Sequence, residues 1–205
     1  MKNIFALLVL LIATIIGYSQ TVYIPAKTYN ANGMEKGKNG DYIGSIADFN
    51  KAIERDPYYS NAYYNRGISK NSLNDFIGAI DDFSKAISLD TNFTDAYIQR
   101  GYSKHMMRMY KEAIADYNKA IEIEPNNPTA YNYRGLAKTK IENTKSAIED
   151  YSKAIELNPK YAEAYFNRGG ERYFSRDWEN GCLDMSKAGQ LGYIKAYELI
   201  KQYCN

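Results

Sequence analysis

The chain has 205 residues, of which 45% are hydrophobic and 24% charged, a composition typical of a folded protein rather than a disordered or fibrous one. Its 26 Lys and Arg residues against 24 Asp and Glu give a formal net charge of +2, and these charges are interspersed along the sequence. Because there is no basic block, the sequence does not indicate a nucleic-acid partner.

The N-terminal segment 1–19 has the pattern of a cleavable signal peptide. A positively charged start precedes an apolar run at positions 4–16, and the small residues Gly17 and Ser19 follow it. This run is shorter than the roughly 20 apolar residues of a membrane-spanning helix, so we expect no stable membrane span after cleavage. The pattern predicts an exported protein, periplasmic or secreted, with residues 20–25 as a linker; an uncleaved anchor is the alternative.

The rest of the chain repeats at a fixed interval. Four similar hexapeptides share a small residue, an aromatic residue, an arginine and a glycine: AYYNRG at 62, AYIQRG at 96, AYNYRG at 130 and AYFNRG at 164. A second motif keeps the same interval: DFNKAI at 48, DFSKAI at 82, DYNKAI at 116, DYSKAI at 150 and the altered DMSKAG at 184. A fixed period of this length indicates units that bury their apolar faces against their neighbours.

Each unit contains two segments in which apolar residues recur with helical spacing. In the second unit Ala79, Phe83 and Ala86 recur at intervals of three and four residues along a second helix, and Asp75 is placed to cap its start. Proline near the end of three units stops that helix. Each unit is therefore predicted to be a helical hairpin.

These features resemble the tetratricopeptide repeat, a helix-turn-helix unit of about 34 residues. Counting positions from the start of each unit, the resemblance rests on an aromatic residue at position 4, glycine at 8, an aromatic residue at 24 and alanine at 27. The position-4 residues are Tyr29, Tyr63, Tyr97, Tyr131 and Tyr165. The glycines are Gly33, Gly67, Gly101, Gly135 and Gly169. The position-24 residues are Phe49, Phe83, Tyr117, Tyr151 and, outside the pattern, Met185.

The resemblance covers about four-fifths of the chain and implies an all-α, right-handed solenoid of five repeats. The predicted units are a degenerate first repeat at 26–59, repeats at 60–93, 94–127 and 128–161, and an atypical fifth repeat at 162–195. A helix within residues 193–205 is predicted to cap the last repeat. Its apolar residues, expected to cover the last helical pair, are Ile194, Tyr197, Leu199 and Ile200.

The sequence offers few groups for catalysis. His105 is the only histidine, which makes a catalytic triad or a multi-histidine metal site improbable. The second-motif aspartates recur once per unit, as structural residues do. We therefore expect no enzymatic activity and no cofactor or metal.

The recurring arginines have two interpretations. They could form a basic ladder for phosphate or carboxylate ligands, or each could pair with an acidic residue of a neighbouring helix, which we favour because the aspartates keep the same interval. The residues predicted to form structural ion pairs are Arg66, Arg100, Arg134, Arg168, Asp48, Asp82, Asp116 and Asp150.

The resemblance also implies a binding surface. In tetratricopeptide arrays the first helices line a concave groove that holds an extended or helical segment of another protein. The candidate groove residues are Tyr64, Ile68, Ile98, Tyr102, His105, Met106, Asn132, Leu136, Phe166 and Tyr173. Some of these rings could instead pack between helices. The predicted function is a scaffold that binds a protein or peptide segment; a glycan- or peptidoglycan-binding module and an accessory subunit of an envelope enzyme remain alternatives.

The chain contains two cysteines. An even count in an exported chain makes a disulfide plausible. If the last two helices form a hairpin turning near Gly192, Cys182 and Cys204 fall at similar distances from the turn, so we predict that they are bonded. The alternative is a small core residue at Cys182 and a free Cys204.

Overall fold

The computed structural model describes residues 23–141 and 143–204. Within these ranges the chain forms eleven α-helices and no strand, which makes it an all-α repeat solenoid. The predicted signal peptide, at positions 1–19, lies outside the described residues.

The helices alternate between the first and second member of each hairpin. They are α1 (Ala26–Lys38), α2 (Tyr42–Arg55), α3 (Ser60–Ser72), α4 (Phe76–Leu89), α5 (Thr94–Met106), α6 (Tyr110–Ile123), α7 (Pro128–Thr139), α8 (Thr144–Leu157), α9 (Ala162–Phe174), α10 (Trp178–Gln190) and α11 (Lys195–Tyr203). The odd-numbered helices α1 to α9 are the first helices.

Successive helices pack side by side, and successive first helices also contact one another. Among the described residues, the second helices of neighbouring units have no comparable contacts, because they are further apart. The array therefore curves with its first helices on the concave side.

Local residues define the hairpin ends. The carboxylates of Asp41 and Asp75 each accept a hydrogen bond from a backbone N–H three residues later, at 2.8 and 2.9 Å, and so cap α2 and α4. In four of the hairpins, the turn between the paired helices has a residue with a left-handed backbone conformation at position 15. The residues that adopt it have φ between 61° and 81° and are Gly40, Asn74, Arg108 and Arg176.

The motif glycines set how closely the paired helices approach. The ring of Phe83 lies against Gly67, where an added Cβ would be 2.7 Å from the ring, and the ring of Tyr117 lies as closely against Gly101. Only glycine leaves room for these rings. Alanines buried beside them allow similarly close contact between neighbouring helices, so the small and aromatic residues of the motif form one packing unit.

The fifth repeat packs differently. Gly181 takes the place of the alanine found at position 20 in the middle units, and Met185 takes the place of the aromatic ring at position 24. The two backbones therefore meet directly: a Cβ on Gly169 would lie 2.9 Å from the carbonyl oxygen of Gly181. The adjacent Gly170 has open space around its Cα, with no atom within 4 Å of an added Cβ.

The C-terminal helix begins at Lys195, after a turn in which Gly192 has φ +93°. The prediction that Ile194 covers the last pair is wrong, since this residue is 76% exposed. Tyr197 covers it only in part, because its ring lies against Gly189 of α10 while the residue stays 56% exposed. Ala196 is buried instead, since α11 approaches α10 on the face that carries this small residue.

The two cysteines lie at disulfide distance. Cys182 is in α10 and Cys204 follows α11, and their α-carbons are 5.7 Å apart with the two sulfur atoms bonded. Such a bond joins the last helix to the body of the array.

Two adjacent glycines of α9 test the close packing. We expect Gly169→Ala to lower the free energy of unfolding by about 1–3 kcal/mol, because its methyl group would collide with backbone. Gly170→Ala is the matched control and should raise stability by up to about 1 kcal/mol through helix propensity. Urea unfolding of both variants measures the difference, and shifts of the same sign would contradict this packing.

The disulfide is expected to stabilise the end of the array. Cys204→Ser opens a loop with a sequence separation of 22 residues, and chain entropy assigns such a loop roughly 3 kcal/mol. Denaturant unfolding of the oxidised protein should show a loss of that order, and the double change with Cys182→Ser should match it. Two titratable thiols in the folded, air-oxidised protein would refute the bond.

Candidate functional site

The four recurring arginines each bind an aspartate of the second helix in their own unit. In the second unit Arg66 donates from Nε to Oδ2 of Asp82 at 2.9 Å and from Nη2 to Oδ1 at 2.5 Å, a bidentate pair. The other pairs are Arg100–Asp116, Arg134–Asp150 and Arg168–Asp184. These arginines therefore lie inside the array rather than on the groove.

The same guanidinium groups reach the preceding unit. Nη1 of Arg66 donates to the side chain of Asn50, at 2.6 Å, on the second helix of the unit before. The equivalent acceptors for the other three arginines are Ser84, Asn118 and Ser152. Each arginine thus ties three helices together. Because the guanidinium groups of the four arginines are occupied by these bonds, they do not form a basic ladder for a ligand in the described units.

A second cation joins each aspartate from four residues beyond the arginine. Lys70 lies 2.7 Å from the carboxylate of Asp82. The corresponding residues of the later units are Lys104, Lys138 and Arg172. Each guanidinium of the four recurring arginines also lies over the position-4 tyrosine ring, at 5.3–5.6 Å from its centre. The sequence interpretation missed this second cation, although its spacing is as regular as that of the arginine.

The first unit departs from the pattern. Asp48 has no arginine partner, because Asn32 occupies the arginine position, and it pairs with Lys36 at 2.6 Å and Lys51 at 3.4 Å instead. Although burial opposes it, hydrogen bonds and charge from these lysines lower the pKa of Asp48.

The predicted groove rings are half-buried, each packed in a tilted arrangement against a neighbouring ring. Tyr64 stacks on Phe93, with ring centres 4.8 Å apart, and burial raises its pKa to about 12, with a smaller contribution from Asp95. The remaining ring pairs along the groove are Tyr102–Tyr133 at 6.0 Å, Phe166–Tyr193 at 4.6 Å and Tyr173–Tyr203 at 5.3 Å. These rings therefore pack between helices and still reach the surface.

Two predicted groove residues lie beneath that surface. Ile98 is 3% exposed, and Asn132 is fully buried, with its amide donating to the hydroxyl of Tyr161 and accepting from Asn167. The prediction that these two residues line the groove surface is therefore wrong. They support the groove floor instead, because the next unit covers their side chains.

His105 and Met106 lie near the middle of the groove. His105 packs edge-on to Tyr110 at 5.1 Å, and burial, together with the charge of Lys140, lowers its pKa. Met106 is exposed and adds polarisable apolar surface.

Cavities lie at both ends of the groove. The one at the N-terminal end, about 320 Å³, includes Met34 and Ile68 in its lining. The one at the C-terminal end, about 240 Å³, is lined by Leu136, Phe166 and Tyr173 together with residues of α11. The contribution of α11 to this cavity was not predicted, because the sequence pattern assigned this helix only to covering the last helical pair.

Known protein families match most of the repeat region. A family described as "Tetratricopeptide repeat" matches residues 26–59 and 60–93, and one described as "TPR repeat" matches 109–141 and 140–170. These segments cover more than half of the chain, which therefore belongs to the tetratricopeptide repeat family.

Curated relatives match over a short stretch. A tetratricopeptide repeat protein 36 homolog of Nematostella vectensis is 44% identical, and an uncharacterized protein of Methanocaldococcus jannaschii 42% identical, each over 41 residues. Each match covers 20% of this chain, and 23% and 48% of the respective relative. The matched part thus spans less than half the length of these relatives.

Solved structures share the fold over longer stretches. MamA is 25% identical with a TM-score of 0.71, covering 80% of this chain and 96% of its own. YrrB, described as a TPR protein with an unusual peptide-binding site, is 20% identical with a TM-score of 0.67, covering 84% of this chain and 90% of its own. The first TPR domain of RPAP3, solved with the HSP90 peptide SRMEEVD, is 29% identical with a TM-score of 0.56, covering 57% and 93%.

The family and fold together suggest a scaffold for protein–protein interactions, and proteins of this family are generally non-catalytic. In the part of the chain that the structure describes, no helix is both long and apolar enough to cross a membrane.

Removing one cation from a buried aspartate tests the structural role of the arginines. Arg134→Leu leaves Asp150, which is 4% exposed, with Lys138 alone, so we expect the free energy of unfolding to fall by about 1–3 kcal/mol. Lys153→Ala, which breaks an exposed pair with Glu156, is the control and should cost less than about 1 kcal/mol. If denaturant unfolding showed unchanged stability of the Arg134→Leu variant, the interpretation of the arginines as ligand-binding residues would be favoured instead.

Proposed function

We propose that this protein is an exported, non-catalytic scaffold that binds a segment of another protein along its concave groove. The observation that carries this proposal is the apolar surface of the groove, where Ile68, Tyr102, Leu136 and Phe166 remain partly accessible beside two open cavities. Aromatic residues in such positions are typical anchors of protein interfaces.

The structural neighbours support a peptide as the ligand class. One of them, YrrB, is described as having an unusual peptide-binding site, and another, the RPAP3 domain, was solved with a bound peptide. The peptide SRMEEVD is acidic near its end, whereas the groove of the present chain carries Glu163 and Glu171 near its C-terminal cavity. We therefore expect a partner segment of different charge.

Export is the second part of the proposal. It rests on the signal-like pattern of positions 1–19 and is supported by the cysteine pair, since disulfides persist outside the cytoplasm. Fusing residues 1–25 to a reporter enzyme that is active only after export tests this point. A reporter that stays inactive would remove localisation from the proposal.

The binding surface is tested with a displayed library of random dodecapeptides selected against the full, oxidised chain. For the selected peptides we expect Ile68→Ala combined with Tyr102→Ala to weaken binding by more than about 2 kcal/mol, or roughly 30-fold in Kd. Titration calorimetry gives the dissociation constants, and thermal unfolding checks that the variant stays folded.

The matched control changes the outer face of the array. Lys85→Ala combined with Lys119→Ala alters one exposed and one partly exposed residue of the second helices and should leave the Kd within about twofold. Equal losses in both double variants would exclude a groove-specific site. Selection of no peptide, together with retention of the chain on an array of cell-wall glycans, would favour the glycan-binding alternative.

A further inference from the structure

The cavity at the C-terminal end of the groove is built from three helices. Leu136 of α7 forms one wall, Phe166 and Tyr173 of α9 a second, and Leu199 and Tyr203 of α11 a third. Its volume of about 240 Å³ lies below the range of about 300–1,000 Å³ that is usual for whole small-molecule ligands. The space therefore suits one large apolar side chain rather than an entire ligand.

Two carboxylates lie at the rim of this cavity. Glu171 contributes to its lining, and Glu163 lies one helical turn before Phe166 on the same face of α9. The pKa of Tyr193 is raised mainly by burial and, to a smaller extent, by the negative charge of Glu163. The ring of Tyr193 packs against Phe166, with ring centres 4.6 Å apart. Glu163 is thus close to the aromatic wall.

These carboxylates contrast with the interior aspartates. Asp82 and its equivalents in the later units are each held by two cations, whereas Glu163 and Glu171 have no ion pair among the described residues 23–141 and 143–204. The arginines and lysines of α3, α5, α7 and α9 pair with interior aspartates, so none of them neutralises the two carboxylates at the rim.

We propose that this cavity anchors one aromatic or branched aliphatic side chain of a bound peptide segment that carries a lysine or arginine close to that side chain. The proposal deepens the groove function proposed above and rests on it. The apolar side chain is desolvated among the three walls, while the cation pairs with Glu163 and Glu171 at the partly buried rim, where a charged hydrogen bond is stronger than on an open surface.

The probe is the same displayed library of random dodecapeptides on the full, oxidised chain. We expect the selected peptides to be enriched in Phe, Tyr, Trp, Leu or Ile within a few residues of Lys or Arg. Tyr203→Ala removes part of the α11 wall and should weaken these peptides by at least about 10-fold. Tyr197→Ala, on the same helix but outside the cavity lining, is its control and should change little.

A filling variant guards against a folding defect in Tyr203→Ala. Gly170 lines the cavity, and no atom lies within 4 Å of a Cβ added there, so Gly170→Leu places a side chain in the cavity without a clash at its first carbon. This variant should keep the helical fold, by circular dichroism, and lose binding to the same degree.

The role of the charges is measured by salt dependence. Glu163→Gln combined with Glu171→Gln should weaken binding several-fold and flatten the dependence of Kd on NaCl concentration. Glu149→Gln, an exposed change on the outer helix α8, should affect neither quantity.

The outcomes separate this proposal from the groove function. Peptides that depend on Ile68 and Tyr102 but tolerate both Tyr203→Ala and Gly170→Leu would overturn the cavity proposal and leave groove binding intact. Insensitivity to every one of these changes would overturn both. Enrichment of acidic peptides would also overturn the cavity proposal. So would dimerisation of the chain at micromolar concentration that Gly170→Leu abolishes, since a second copy of the chain would then occupy the cavity.

Discussion

The contact on which the array depends is an aromatic ring lying on a glycine. The ring of Phe83 occupies the space that a side chain at Gly67 would need, so the ring thickness fixes the separation of the paired helices. Sequence neighbours of these two residues then meet as well: Arg66 precedes the glycine, Asp82 precedes the ring, and they form a bidentate ion pair. The four residue types recur together because one helix contact positions them all.

That ion pair also links one unit to the next. Because the guanidinium of Arg66 donates to Asn50 of the preceding unit, the hairpin contact and the contact between units share one side chain. A buried ion pair adds little net stability after its desolvation cost, but its geometry admits only one arrangement of the helices. Its role is therefore to specify the register of the stack. The same pairing holds the cations of α3, α5, α7 and α9 in the interior, so none of them neutralises Glu163 or Glu171 near the C-terminal cavity.

Those features of the fold that recur in every unit could be predicted from the sequence. The helical hairpins follow from recurring residue types such as Gly101 and Tyr117, because each depends on contacts at fixed sequence distances. The groove was harder to predict. Position 5 is half-buried at Tyr64 but fully buried at Asn132, since its exposure depends on whether side chains of the next unit, such as Asn167 at Asn132, cover it. Those neighbours vary between units, so a position number alone does not determine exposure.

The fifth repeat is where the chain departs from its own pattern, and the departures act together. Gly181 and Met185 replace the alanine and the ring, so the last two paired helices meet backbone to backbone without an aromatic between them. The helix that follows, α11, contributes a wall to the groove cavity, and Cys204 lies at disulfide distance from the body of the array just beyond Tyr203. A regular repeat would instead continue the stack with another first helix and an unbroken groove. The C-terminal end of the groove therefore differs from the regular units, because it has an apolar cavity whose walls come from α7, α9 and α11.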